Sequence, residues 1–92
     1  MPPARLLISD DAVSRQFGDE VVVVHLQTNR IYSLNRTGAR LWSLLADGHD
    51  RDGIVTRLTE EFDVDVAVAG REVDAMLTSL REERLIREPD AG

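Results

Sequence analysis

The run Val21-Val22-Val23-Val24-His25-Leu26, followed by Gln27-Thr28-Asn29 and then Arg30-Ile31-Tyr32-Ser33-Leu34, decides how this chain folds. Four consecutive β-branched side chains are stiff in a helix and fit a pleated sheet. The polar triplet turns the chain, and the second run is extended again, so the pair reads as an antiparallel hairpin. Alternation groups Val22, Val24 and Leu26 on one face of the first strand and Tyr32 and Leu34 on one face of the second, and these are expected to face the core. Their opposites, Val21, Val23, Ile31 and Ser33, are unusually apolar for a solvated face and should be covered by something. Upstream, Leu6–Ser9 is apolar enough for a strand. Asp10, Asp11 and Ser14, before Phe17-Gly18-Asp19-Glu20, read as a loop.

Downstream the period becomes helical. Asn35 can cap a first helix whose Leu41, Trp42, Leu44 and Leu45 cluster on one side and which Gly48 can stop. Asp50 can cap a second, with Ile54, Val55, Leu58 and Phe62 as its stripe; Gly53 in its first turn weakens it by roughly 1 kcal/mol relative to alanine. Asp65 can cap a third, whose Val66, Ala69, Val73, Met76, Leu77 and Leu80 follow helical spacing. Arg84 would fall in the middle of that stripe, so the helix should end near it and Leu85-Ile86 return to the core. The order of three strands and three helices predicts an α+β domain, a three-stranded antiparallel sheet followed by three helices, shaped like a winged helix. One edge strand stays open. A single domain over residues 1–92 is expected, with 1–4 and 89–92 frayed.

Composition removes several function classes. The 11 basic residues, all arginine, stand against 17 acids, for a net charge of -6. A non-specific nucleic-acid binder needs the opposite sign. There is no cysteine, so disulfides, thiolate metal sites and thiol nucleophiles are excluded. No targeting or membrane-spanning run is visible, and a cytoplasmic location follows by default.

Chemistry is sparse. His25 and His49 each lack a second ligand or base nearby in sequence, so structural or surface roles are expected and no metal is assigned. The adjacent acids Asp10-Asp11, Asp19-Glu20, Glu60-Glu61 and Glu82-Glu83 point apart on either a helix or a strand and read as solvated faces. No phosphate cradle or nucleophile constellation occurs. The expectation is a protein that is not an enzyme and uses no cofactor. A winged-helix DNA regulator is the rival from another class, but Arg71 and Arg81 sit among Glu72, Asp74, Glu82 and Glu83, leaving no basic stripe for a duplex.

What remains is binding of an extended peptide. If Arg30–Ser33 is an edge strand with the third helix beside it, an incoming strand can pair with its backbone and send alternate side chains into the groove. Four or five such hydrogen bonds at about 1 kcal/mol each, with two or three apolar anchors at about 2 each, supply about 8 to 11 kcal/mol before the cost of association. An edge capped by the chain's own tail or by a second copy is the competing structural reading.

The ordered set Arg30–Leu34, Leu34-Asn35, Thr37, Gly38, Leu41-Trp42, Leu44-Leu45, Asp47-Gly48, Leu58, Phe62, Glu72-Val73, Leu77, Leu80 and Leu85-Ile86 resembles the PqqD-like proteins. These are recognition elements of pathways that modify ribosomally made peptides. Arg30-Ile31-Tyr32 before Leu34-Asn35-Arg36-Thr37-Gly38-Ala39 is most similar to the stand-alone form of lasso-peptide pathways, with the form of pyrroloquinoline quinone synthesis as the competitor. Arg84 stands where the family often has glycine, and Gly53 where glutamate is frequent. The resemblance implies a non-catalytic chaperone that binds a precursor's leader region as an added strand. Its partners would be a separate leader protease and an ATP-dependent cyclase, with neither nucleic acid nor membrane. The leader would pair with Arg30, Ile31, Tyr32 and Ser33 and lie against Val73, Met76, Leu77 and Leu80. Either flank of that helix could border the groove: Glu72 and Ser79 beside Met76, or Gly70, Asp74 and Arg81 opposite. The Met76 side is favoured. Trp42 is expected to be core rather than contact, and for Leu77 and Leu80 plain core packing is at least as good a reading as contact with a leader.

Overall fold

In the computed structural model, which describes residues 6–88, eight elements follow in the order β1 (Leu7–Ile8), β2 (Ala12–Phe17), β3 (Glu20–His25), β4 (Ile31–Leu34), α1 (Arg36–Ala46), α2 (Arg51–Phe62), α3 (Val66–Glu82) and β5 (Ile86–Arg87). The ends expected to fray, 1–4 and 89–92, lie outside the described residues. β2, β3 and β4 form a three-stranded antiparallel sheet in that order, and β1 pairs with β5 in a separate two-stranded ribbon. The α+β class and the antiparallel β3–β4 hairpin follow the sequence expectation, but the makeup of the sheet does not. Leu6–Ser9 belongs to the ribbon, and the third strand of the sheet is Ala12–Phe17, the stretch read as a loop.

That strand was hidden by its position. It is an edge strand whose residues beyond Ala12 are all exposed, so apolar alternation is absent. A turn signal was present. Gly18 lies at φ 60°, the left-handed region that a two-residue hairpin turn requires, with Asp19 after it.

The faces of β3 are also the reverse of the expectation. Val21, Val23 and His25 are buried, whereas Val22 and Val24 are half-buried and Leu26 is 54% exposed. Register is the cause: Val21 pairs with Leu34 and Val23 with Tyr32, and residues directly opposite share a face. Tyr32 and Leu34 do pack on the core, as expected, and they take Val21 and Val23 with them. The cover expected over Val21 and Val23 is the helical layer. Ile31 and Ser33 lie on the opposite face with Val22 and Val24, and both are exposed.

The helices begin where the caps predict. The amides of Gly38, Gly53 and Ala67 donate to the side chains of Asn35, Asp50 and Asp65 at 2.9, 2.8 and 2.7 Å. Leu41, Leu44, Ile54, Val73 and Leu85 meet in the core between sheet and helices, with Trp42 buried beside them. α3 stops where Arg84 adopts φ 60°; the Leu85 amide donates to the Leu80 carbonyl at 2.9 Å and the Arg84 amide to the Arg81 carbonyl at 3.0 Å. This is a left-handed helix ending with arginine in the position that glycine usually fills. Leu85 and Ile86 then return to the core as expected.

Candidate peptide-binding groove

The edge strand is built by a tight turn. Asn29 at φ 60° donates its amide to the His25 carbonyl at 2.8 Å, and the His25 amide donates to the Arg30 carbonyl at 2.9 Å. His25 is buried with Nδ1 accepting from the Gln27 amide at 3.2 Å, so it is a piece of the turn. Among the described residues no group of metal-ligating side chains forms around it.

The His25–Arg30 pair fixes the polarity of the edge. Hydrogen-bonded and non-hydrogen-bonded pairs alternate along an antiparallel ladder, so Tyr32 and Leu34 bond to β3 while the amides and carbonyls of Ile31 and Ser33 turn away from it. Ile31 is 69% exposed. Two residues with one donor and one acceptor each offer four hydrogen bonds to an added strand, within the range expected from the sequence.

Beside this edge lies a cavity of about 230 Å³ whose walls include Leu34, Gly38, Leu41, Met76, Ser79 and Leu80. Gly38 adds no side chain to its wall; a Cβ there would make ordinary contact, 3.4 Å from the Cβ of Leu34. The lining is aliphatic except for the Ser79 hydroxyl, and suits an apolar side chain. The opposite flank of α3 is occupied. The Arg51 guanidinium grips Asp74 through two bonds of 2.9 Å and lies where a Cβ on Gly70 would come within 3.1 Å of it, while Arg81 pairs with Glu88 at 3.5 Å. The Arg51 guanidinium holds the Asp74 carboxyl below its ordinary range.

At the end of α3 the Tyr32 hydroxyl donates to the Glu83 carboxylate at 2.6 Å, and the Arg30 guanidinium lies 3.5 Å from the same oxygen. The hydrogen bond to Glu83, and then burial, raise the Tyr32 phenol above its usual pKa, so it stays protonated and donating at neutral pH.

The structure distributes the sequence-derived residues among three settings. Arg30, Ile31, Tyr32 and Ser33 form the edge, the odd-numbered pair by outward backbone and the even-numbered pair by side chains turned towards α3. Met76, Ser79 and Leu80 line the cavity. Val73 and Leu77 are buried in the core, and Glu72 lines a neighbouring cavity of about 220 Å³ with Thr37, Phe62 and Val64. Sequence reasoning missed Leu34, Gly38, Leu41, Ala75 and Glu83. Gly38 carried a signal, a glycine in a first helical turn; Glu83 carried none, because only the tertiary fold sets it against Tyr32.

An open strand edge beside an apolar crevice on a helix defines a class of protein that captures extended peptides by strand addition. Residues 20–86 match the model of the family described as coenzyme PQQ synthesis protein D (PqqD), and the chain belongs to that family. Two solved structures are similar. One is TbiB1 in complex with the TbiA(beta) leader peptide, 37% identical, with a TM-score of 0.86 over 88% of this chain and 94% of that one. The other is lasso peptide synthetase B1 complexed with the leader peptide, 26% identical, with a TM-score of 0.84 over 91% of this chain and 99% of that one. No curated protein matches significantly.

Proposed function

We propose that this chain binds the leader region of a ribosomally made precursor as a fourth strand on β4 and presents it to separate enzymes of lasso-peptide assembly, a leader protease and an ATP-dependent cyclase. The observation that carries the reading is the outward backbone of Ile31 and Ser33 directly beside the aliphatic cavity on α3. Two similar chains hold leader peptides, which supports the same ligand here. The chain itself performs no chemistry in this reading. A precursor leaving the ribosome would be met in the cytosol, and among the described residues no helix is long and apolar enough to cross a membrane.

Handing over a peptide needs a second surface. The sheet's outer face carries Val13, Val22, Val24 and Ile31, with Val13 and Ile31 well exposed. A leader added to β4 would widen that face, so an enzyme docking there would meet carrier and leader together.

Titration with a fluorescein-labelled TbiA(beta) leader peptide tests the proposal. Saturable binding is expected, weakening only slightly as salt rises. No saturation below about 100 μM, equivalent to weaker than about −5.5 kcal/mol, overturns it. Retention of random duplex DNA that falls steeply with salt favours the winged-helix regulator instead.

A further inference from the structure

We infer that the hydrogen bond between Tyr32 and Glu83 gauges the width of the groove, which makes these two side chains positioning residues for peptide binding. The inference rests on the leader-binding reading above and adds to it the device that sets what the groove admits.

The two walls of the groove are held very differently. α3 is held by its buried face, Ala69, Val73, Leu77 and Leu80, and at its end by the Leu85-to-Leu80 bond, after which buried Leu85 and Ile86 lead into β5 and its pairing with β1. Glu83 therefore projects from a rigid base. β4 has four residues and is paired along one side alone, to β3. An edge strand attached in this way can flex outward at little cost.

Among the described residues, the side-chain hydrogen bonds tying β4 and its flanking Arg30 to the end of α3 both converge on Glu83. They are the 2.6 Å bond from Tyr32 and the 3.5 Å approach of Arg30. The first is short and charge-assisted, hence directional; the second is long and solvent-exposed, hence weak. Tyr32 is also well placed to act. It lies between Ile31 and Ser33, whose backbones face the incoming strand, and it shares its face with Leu34 at the cavity. A strand pairing with Ile31 and Ser33 would send one side chain past Leu34 into the cavity and another, two residues along, past Tyr32, across the bond to Glu83. The spacing of β4 and α3 at that level is thus set before the peptide arrives, which spares the ordering that binding would otherwise require.

The test uses the intact chain and the fluorescein-labelled TbiA(beta) leader peptide. Tyr32→Phe should raise Kd about fivefold to tenfold with helical circular dichroism retained. Glu83→Ala should do the same, and the double variant should be no worse than the weaker-binding single one, as expected when two groups act through one bond. Glu83→Gln, which keeps an acceptor of the same size, should bind within about twofold of the unmodified chain. Loss of the gauge should also relax selectivity: the penalty for enlarging a strand residue of the peptide to tryptophan should shrink in Tyr32→Phe. An unchanged Kd in Tyr32→Phe, or independent additive losses from the two sites, overturns the inference. If the unmodified chain fails to bind the peptide, the proposed function itself falls; if it binds and Tyr32→Phe binds equally, only the gauge does.

Discussion

Among the described residues the sheet has two open edges, and they differ in what lies next to them. Along β2 the Leu26 amide donates to the Asp11 carbonyl at 2.8 Å, so by alternation Ser14 and Gln16 turn their backbone groups outward, as Ile31 and Ser33 do on β4. β2 is the longer strand, with six residues against four. Beside it lies a roomy cleft of about 410 Å³, yet its wall holds Arg36 and an Arg40–Glu61 bridge with bonds of 2.7 and 2.8 Å. A peptide side chain entering there must desolvate charges already paired with each other. The cavity beside β4 asks for no such loss and rewards an aliphatic anchor with about 2 kcal/mol. Free backbone is common to both edges, so the neighbouring helix surface decides which one can select a peptide.

Matched substitutions can break this contrast. Ile31→Pro removes an outward donor from β4 without touching the ladder to β3, and should weaken leader binding about tenfold to a hundredfold with helical circular dichroism retained. The equivalent Ser14→Pro on β2 should leave leader affinity unchanged; equal losses at both edges would end the distinction. Next in size, Ser79→Phe fills the aliphatic cavity and should cost about tenfold in affinity, whereas Ser43→Phe, in the polar cleft, should cost nothing measurable. A charge on the face shared by both edges sharpens the picture further. Val13→Glu should bind the leader normally but slow leader removal about tenfold in a reconstituted assay with a separate protease.

Two smaller effects concern the supports of the groove. Arg84→Gly relieves the left-handed residue at the end of α3 and should stabilise the fold by about 1 kcal/mol, read as a Tm higher by about 4–8 °C, with leader affinity unchanged. The Arg51 bridge lowers the Asp74 carboxyl pKa in the folded chain, so its contribution is present above the ordinary carboxylate pKa and disappears as pH falls through the lowered one. Asp74→Asn should therefore unfold slightly earlier than the unmodified chain at neutral pH, and the two melting curves should converge once pH falls below the lowered carboxylate pKa. Both carboxylate and guanidinium are substantially solvated, which keeps the difference small.

Local chemistry made much of the fold legible. Asn35, Asp50 and Asp65 start the helices because a short polar side chain satisfies first-turn amides wherever it occurs, and the valine run is a strand because its side chains are stiff. Ile31 and Ser33 were within reach as parts of an edge, and Met76, Ser79 and Leu80 as parts of one helical stripe, since both periodicities can be counted along the chain. The family pattern added the orientation of these parts, and its residues 20–86 are matched.

Other features depended on contacts between distant segments. A strand of valines has two equivalent apolar faces, so only pairing with Tyr32 and Leu34 chose Val21 and Val23 for the core. Ala12–Phe17 buries no apolar face of its own beyond Ala12, and becomes a strand because β3 offers it a ladder. Glu83 looks like any surface acid until the end of α3 carries it to Tyr32, 51 residues away in sequence. Propensity, capping and period belong to neighbouring residues and were written in the chain; register, the choice of face and the meeting of two walls are properties of packing, which no single segment contains.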